Sequence, residues 1–166
     1  MRYLKAGAAF LVAFLIQGSL LNLFSIAGHT PNLLLCLVIM LSFLYEDELY
    51  GLVFGAAFGI IYDVCYSVVI GPTPIALLII AILVIGMRYY ANVENTISMF
   101  VVSAIACILY YIINWGLYSI AGSPIGLGNV LISSVITIVY SLLVNYVIYK
   151  LLIKRVVKHH KDRYFI

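Results

Sequence analysis

Asp63 is the one ionisable side chain set well inside an apolar stretch of this chain. At a 1.5 Å rise per residue it lies roughly 20 Å from the start of that stretch. In hydrocarbon a carboxylate at such depth costs at least ~2.5 kcal/mol unless neutralised or paired, so it must face other helices or a polar cavity. Two roles suit it. One is an ion or substrate site, or a contact with a partner's helix; the other is a hydrogen-bonded lock on Tyr or Asn side chains within the bundle. No Lys or Arg lies at its depth, and a proton relay wants more than one ionisable group, which argues against a pump.

Gly51, Gly55 and Gly59 precede Asp63 at steps of four, so all four share one helical face. Such a row lets another backbone approach closely, as a docking face for a partner or as tight packing within the chain. Two polar stripes follow at steps of three and four: Ser103, Cys107, Tyr110, Asn114 and Tyr118, then Ser133, Thr137, Ser141 and Asn145. These faces avoid lipid, and they suit either specific helix packing or a ligand-lined cavity.

The search for catalysis ends there. GxSxG, HExxH and the P-loop are missing, and no Ser, His and acid gather on one side of a membrane. His29 has no charged companion nearby in sequence, and His159 and His160 stand in a basic tail without acid or Cys at ligand spacing. Cys36, Cys65 and Cys107 are odd in number, lack CxxC spacing, and read as small packing residues. The chain is expected to be no enzyme and to bind no cofactor or metal.

Helices in lipid must position these residues. The 166 residues are 66% hydrophobic and only 9% charged, with mean hydropathy +1.19. That excludes a soluble enzyme, a nucleic-acid module and a disordered tail. Residues 6–45 and 95–149 carry no charge at all, and each run is long enough for two crossings of about 20 residues. A β-barrel would show short alternating segments instead. Gly, Pro, Asn and charge clusters divide the chain into six spans, about 6–26, 33–45, 49–70, 75–87, 96–121 and 129–153, with a basic tail over 154–166. The second and fourth are short for a full crossing. One all-α domain, a bundle of six transmembrane helices, is the expected fold.

Charge sets the orientation. With six spans and the N-terminus inside, Arg2, Lys5, Arg88, Lys150, Lys154, Arg155, Lys158, Lys161 and Arg163 all fall on the cytoplasmic side, which is every one of the nine Lys and Arg. Removing one span would misplace the tail or Arg88. The first span is longer than a cleaved signal's apolar core and no good small-x-small cleavage site follows, so it is expected to be retained. Of the 14 Tyr, Tyr3, Tyr45, Tyr50, Tyr89, Tyr90, Tyr118 and Tyr149 lie near span ends, while Tyr62, Tyr66, Tyr110, Tyr111, Tyr140 and Tyr146 lie deeper and need internal partners. Two expected outer turns, Gly71-Pro72-Thr73-Pro74-Ile75 and Gly122-Ser123-Pro124-Ile125-Gly126, resemble each other, through a faint repeat or through similar turn demands.

Together these residues resemble the rod shape-determining protein MreD family. The resemblance rests on Gln17-Gly18-Ser19-Leu20-Leu21, then Pro31-Asn32-Leu33-Leu34-Leu35, then Gly51, Gly55, Gly59 and Asp63, then Gly71-Pro72-Thr73-Pro74. Length, span number and the basic C-terminus also match. The Pro72-Thr73-Pro74 turn departs from the Gly-x-Pro-x-Gly type usual in that family.

The resemblance implies a non-enzymatic, multi-pass component of the bacterial cytoplasmic membrane, with both termini cytoplasmic, that serves the cell-elongation machinery. Its implied partner is MreC, a single-span protein with a large extracytoplasmic domain. MreB, the transglycosylase RodA and its transpeptidase belong to the wider complex, which supports side-wall peptidoglycan synthesis and rod shape. It also implies a fold similar to the substrate-binding S-components of energy-coupling-factor transporters, with Gly51, Gly55, Gly59, Asp63 and Asn114 as candidates for partner contact or for organising the bundle. A vitamin-capturing S-component is the alternative reading, opposed by the very short outer loops. Nucleic acid is not an expected partner.

Overall fold

The structure is a computed structural model that describes residues 3–19, 31–45, 49–67, 69–122 and 127–163; among these every regular element is a helix. In chain order they are α1 (Tyr3–Ser19), α2 (Leu33–Leu44), α3 (Leu49–Tyr66), α4 (Pro72–Arg88), α5 (Thr96–Ile120) and α6 (Leu127–Arg163). Outside the description lie the expected end of the first span with His29, the acids Glu46, Asp47 and Glu48, the turn from Ser123 to Gly126, and the side chains of Ser133 and of the tail beyond Ile153.

Local sequence sets the ends. Asn32 caps α2, its side chain accepting from the Leu35 amide at 3.0 Å, and Asn95 caps α5 through the Ile97 amide at 2.9 Å. Helix α4 begins at Pro72, three residues before the expected span, because proline at the first helical position loses nothing by lacking an N–H. Its N-cap is Gly71, at φ 123°, a left-handed conformation that a side chain would strain. Helix α6 runs past Ile153 as far as Arg163, so most of the expected tail is helical in its backbone.

α2 is the axis of the bundle. The other helices follow around it in the order α1, α3, α4, α5, α6, each touching α2, while among the described residues α1 and α6 make no contact across the remaining side. Ten of the twelve α2 residues are buried, Leu34 to Cys36 and Val38 to Leu44 among them. With about 18 Å of length α2 is too short to cross hydrocarbon alone. Enclosure by protein removes that need, provided its end groups find partners.

Outward faces of the surrounding helices are apolar. Leu11 and Leu15 of α1, Ile60 and Val64 of α3, Ile79 and Ile82 of α4, Ile105 and Ile112 of α5, and Val135, Val139, Leu143 and Val147 of α6 are all exposed. α5 and the Ser134–Ile153 part of α6 are long and apolar enough to cross a membrane; the other apolar helices are shorter.

Candidate functional site

Asp63 is completely buried, near the C-terminal end of α3. Its Oδ2 accepts the backbone N–H groups of Gly71 at 2.8 Å and Thr73 at 3.1 Å, and its Oδ1 accepts the Ser67 hydroxyl at 3.1 Å. The first four N–H positions of a helix lack partners inside it. In α4 two of those four are prolines, Pro72 and Pro74, and the other two donate to Asp63. The carboxylate therefore closes the N-terminus of α4 completely and faces the positive end of its dipole. Its partners are two backbone N–H groups and the Ser67 hydroxyl, whereas the lock that is one of the two readings of this acid names Tyr or Asn side chains. An Asp eight residues ahead of Gly-Pro, at the close of a helix, is the signal for it.

The glycine row is filled from within the chain. A Cβ on Gly51 would lie 1.9 Å from Ser42 Oγ, one on Gly55 2.9 Å from Val38 Cγ2, and one on Gly59 2.8 Å from the Pro74 Cα. Gly51 and Gly55 thus seat α2, and Gly59 seats the first turn of α4. Helix α3 approaches both neighbours along one face, and no space remains along that row for a partner's helix. Flanking that row, Phe10 stacks on Phe54 and Phe58 at 5.7 and 5.5 Å, fastening α1 to α3.

A second cluster closes the start of α2. Gln17 Oε1 accepts the Leu34 N–H at 3.2 Å, its Nε2 donates to Asn32 Oδ1 at 3.5 Å, and Asn32 Nδ2 donates to the Tyr110 hydroxyl at 3.2 Å. Pro31 is buried just ahead of the cap. At the other end of α2 the Arg88 guanidinium donates to the Tyr45 carbonyl, and the Tyr149 hydroxyl donates to the Val93 carbonyl at 3.0 Å. Each end of the short central helix therefore receives a side-chain hydrogen bond from a neighbouring helix, from Gln17 at its start and from Arg88 at its close.

Asn114 joins none of these bonds. It lies between Tyr110 and Tyr118 on one row of α5, and its buried Oδ1 has no hydrogen-bond partner. Tyr118 donates to Ser67 Oγ at 3.0 Å, which links α5 to the Asp63 cap. On α6, Ser141 and Asn145 are fully buried, and Ser141 Oγ and both amide atoms of Asn145 lack partners. Cys36 donates to the Ser141 carbonyl at 3.6 Å; Cys36 and Cys107 are buried thiols and Cys65 is exposed. Among the described residues no group of three or more His, Cys, Asp or Glu could hold a metal ion.

Family models, curated proteins and solved structures give no match to this chain. Its chemistry is read from geometry alone. Asp63, Gln17 and Arg88 act on backbone groups at the ends of neighbouring helices, and Asn32 caps its own helix while reaching Tyr110 of α5, an arrangement that holds helix ends in register.

Proposed function

We propose that the chain is a six-span, non-enzymatic scaffold of the bacterial cytoplasmic membrane, of the MreD type, which binds a single-span MreC-like protein and supports peptidoglycan synthesis along the side wall. MreB, RodA and its transpeptidase are reached through that complex. The observation that carries this reading is the use made of the residues behind the family resemblance. Gln17 and Asn32 close α2, Asp63 and Gly71 close α4, and Gly51, Gly55, Gly59 and Pro74 set the spacing between helices. Such residues build a fixed shape and leave no reactive group free for turnover.

Crossing of the membrane by all six helices is supported by the apolar exterior, which in water would be far larger than the patches soluble monomers expose. The Arg88 end gathers Lys5 and Lys150 as well, in keeping with a cytoplasmic face, and the Asp63 end then faces outward. Affinity purification of the tagged chain from its native membranes in mild detergent, followed by mass spectrometry, tests the proposal. Recovery of a single-span protein with a large extracytoplasmic domain is expected. Recovery of paired ATPases with a transmembrane coupling protein would replace the scaffold with a transporter's substrate-capture subunit.

A further inference from the structure

The outward face of α6 changes chemistry part-way along its length. Val139, Leu143 and Val147 lie on that face at steps of four, each more than half exposed. The same row continues at steps of three and four through Lys150, Lys154, Lys158 and Lys161. Lys150, the first of them, is exposed, and its Nζ lies 5.0 Å from the centre of the Tyr146 ring, which stacks on Phe100 of α5 at 5.6 Å. The first lysine is thus set against the edge of the bundle. The change falls where the bundle ends. Tyr149, on the inward face, donates to the Val93 carbonyl in the turn between α4 and α5. From there the α6 backbone runs on to Arg163, a rise of roughly 21 Å. Residues 150–163 hold six of the nine Lys and Arg of the chain against one acid, Asp162.

We propose that this end of α6 binds the headgroups of anionic phospholipids in the leaflet around it. The proposal rests on the six-span reading above, which turns the Arg88 end toward the cytoplasmic leaflet. Continuity selects the class. A row that meets acyl chains through Val and Leu reaches, without turning, the depth at which the same lipids carry their phosphates. Lysine suits that depth, since its apolar stem lies along hydrocarbon while its ammonium offers three donors to phosphate oxygen. The row is also one-sided. Leu152, Ile153 and Val156 share the helical face of Tyr149, away from the lysines. A dissolved polyanion would not require the lysines to stand in line with the lipid-facing valines. Each lysine close to an anionic surface is worth about fivefold in preference for charged over neutral lipid, and salt screens that attraction.

Tryptophan quenching by brominated lipids tests this on the full chain in nanodiscs. Trp115 is the one tryptophan of the chain, so Trp115→Phe gives a silent background. Into it goes either Val147→Trp, one turn before Lys150, or Ile82→Trp, at an exposed position of α4. Dibromo-phosphatidylcholine should quench both, which reports embedding in the bilayer. Absence of that quenching would remove the six-span reading, and the proposal with it. Dibromo-phosphatidylglycerol mixed into phosphatidylcholine should be preferred about fivefold or more at Val147→Trp in about 50 mM NaCl, and the preference should fall toward unity in about 0.5 M NaCl. At Ile82→Trp the preference should stay below about twofold. Adding Lys150→Gln, Lys154→Gln and Lys158→Gln should bring Val147→Trp level with Ile82→Trp. With embedding shown, equal affinity for the two lipids at Val147→Trp overturns the proposal. So does a preference that Ile82→Trp shares, or one that survives the three lysine substitutions.

Discussion

The Asp63 carboxylate lies 2.8 Å from the Gly71 backbone nitrogen, across the turn that joins α3 to α4. With the Thr73 N–H on the same oxygen, one side chain satisfies every donor that the first turn of α4 has left after its two prolines. An acid buried in an apolar bundle is thereby held by a helix end and needs no basic partner.

Replacing Asp63 should expose that dependence. Asp63→Leu leaves two buried N–H groups and the Ser67 hydroxyl without their acceptor and is expected to cost about 3 kcal/mol. Asp63→Asn keeps one oxygen for Gly71 and Thr73 and should cost less than half of that. Denaturant titration of the purified protein in detergent reads both. Equal losses in the two variants would mean that the hydrogen bonds to α4 do not govern stability.

Gly59 and Gly86 give a matched pair on neighbouring helices. A methyl on Gly59 would meet Pro74 backbone at 2.8 Å, where nothing flexible can move aside, whereas one on Gly86 meets nothing within 4 Å. Gly59→Ala is expected to destabilise by about 1–3 kcal/mol. Gly86→Ala should be neutral or gain up to ~1 kcal/mol from helix propensity. Their unfolding midpoints should fall on opposite sides of the parent's, or the parent's should coincide with that of Gly86→Ala.

Gly51 and Ser42 should be coupled. The Cβ of Gly51→Ala would fall 1.9 Å from Ser42 Oγ, an atom with no hydrogen-bond partner. Removing that oxygen by Ser42→Ala should recover most of the stability lost in Gly51→Ala. A double-mutant cycle is predicted to show a coupling of about 1 kcal/mol or more, and strict additivity would deny the contact.

Much of this was legible in the sequence, for identifiable reasons. Charge-free runs and Gly-Pro punctuation locate six helices, and i, i+4 spacing places Gly51, Gly55, Gly59 and Asp63 on one face. The same spacing cannot say what covers that face. Ser42, Val38 and Pro74 do so, and they come from two other helices whose rotation only packing decides. The Gln17, Asn32 and Tyr110 contact is hidden for a similar reason, since it joins residues 15 and 78 positions apart. The expected fourth span begins at residue 75, three residues late, because Pro72 and Pro74 read as a break, although proline in a first turn opens a helix.

Asn145 is fully buried with an unpartnered amide, so it should add little to stability as it stands. Asn145→Leu, of the same branched shape, is expected to leave the unfolding free energy unchanged or raise it, since it removes an unsatisfied polar group. A loss above about 2 kcal/mol would show that the amide is bonded in the membrane-embedded protein.

Six crossings with both ends inside underlie the proposed scaffold, and cysteine labelling in intact cells tests them most directly. In a background lacking Cys36, Cys65 and Cys107, single cysteines replace the exposed residues Lys5, Ile70, Tyr90 and Gly122 in turn. A membrane-impermeant maleimide should label Ile70→Cys and Gly122→Cys from outside, and should reach Lys5→Cys and Tyr90→Cys only after the membrane is opened. Labelling of Tyr90→Cys or Lys5→Cys in sealed cells, or protection of Ile70→Cys and Gly122→Cys, would contradict the six-span arrangement.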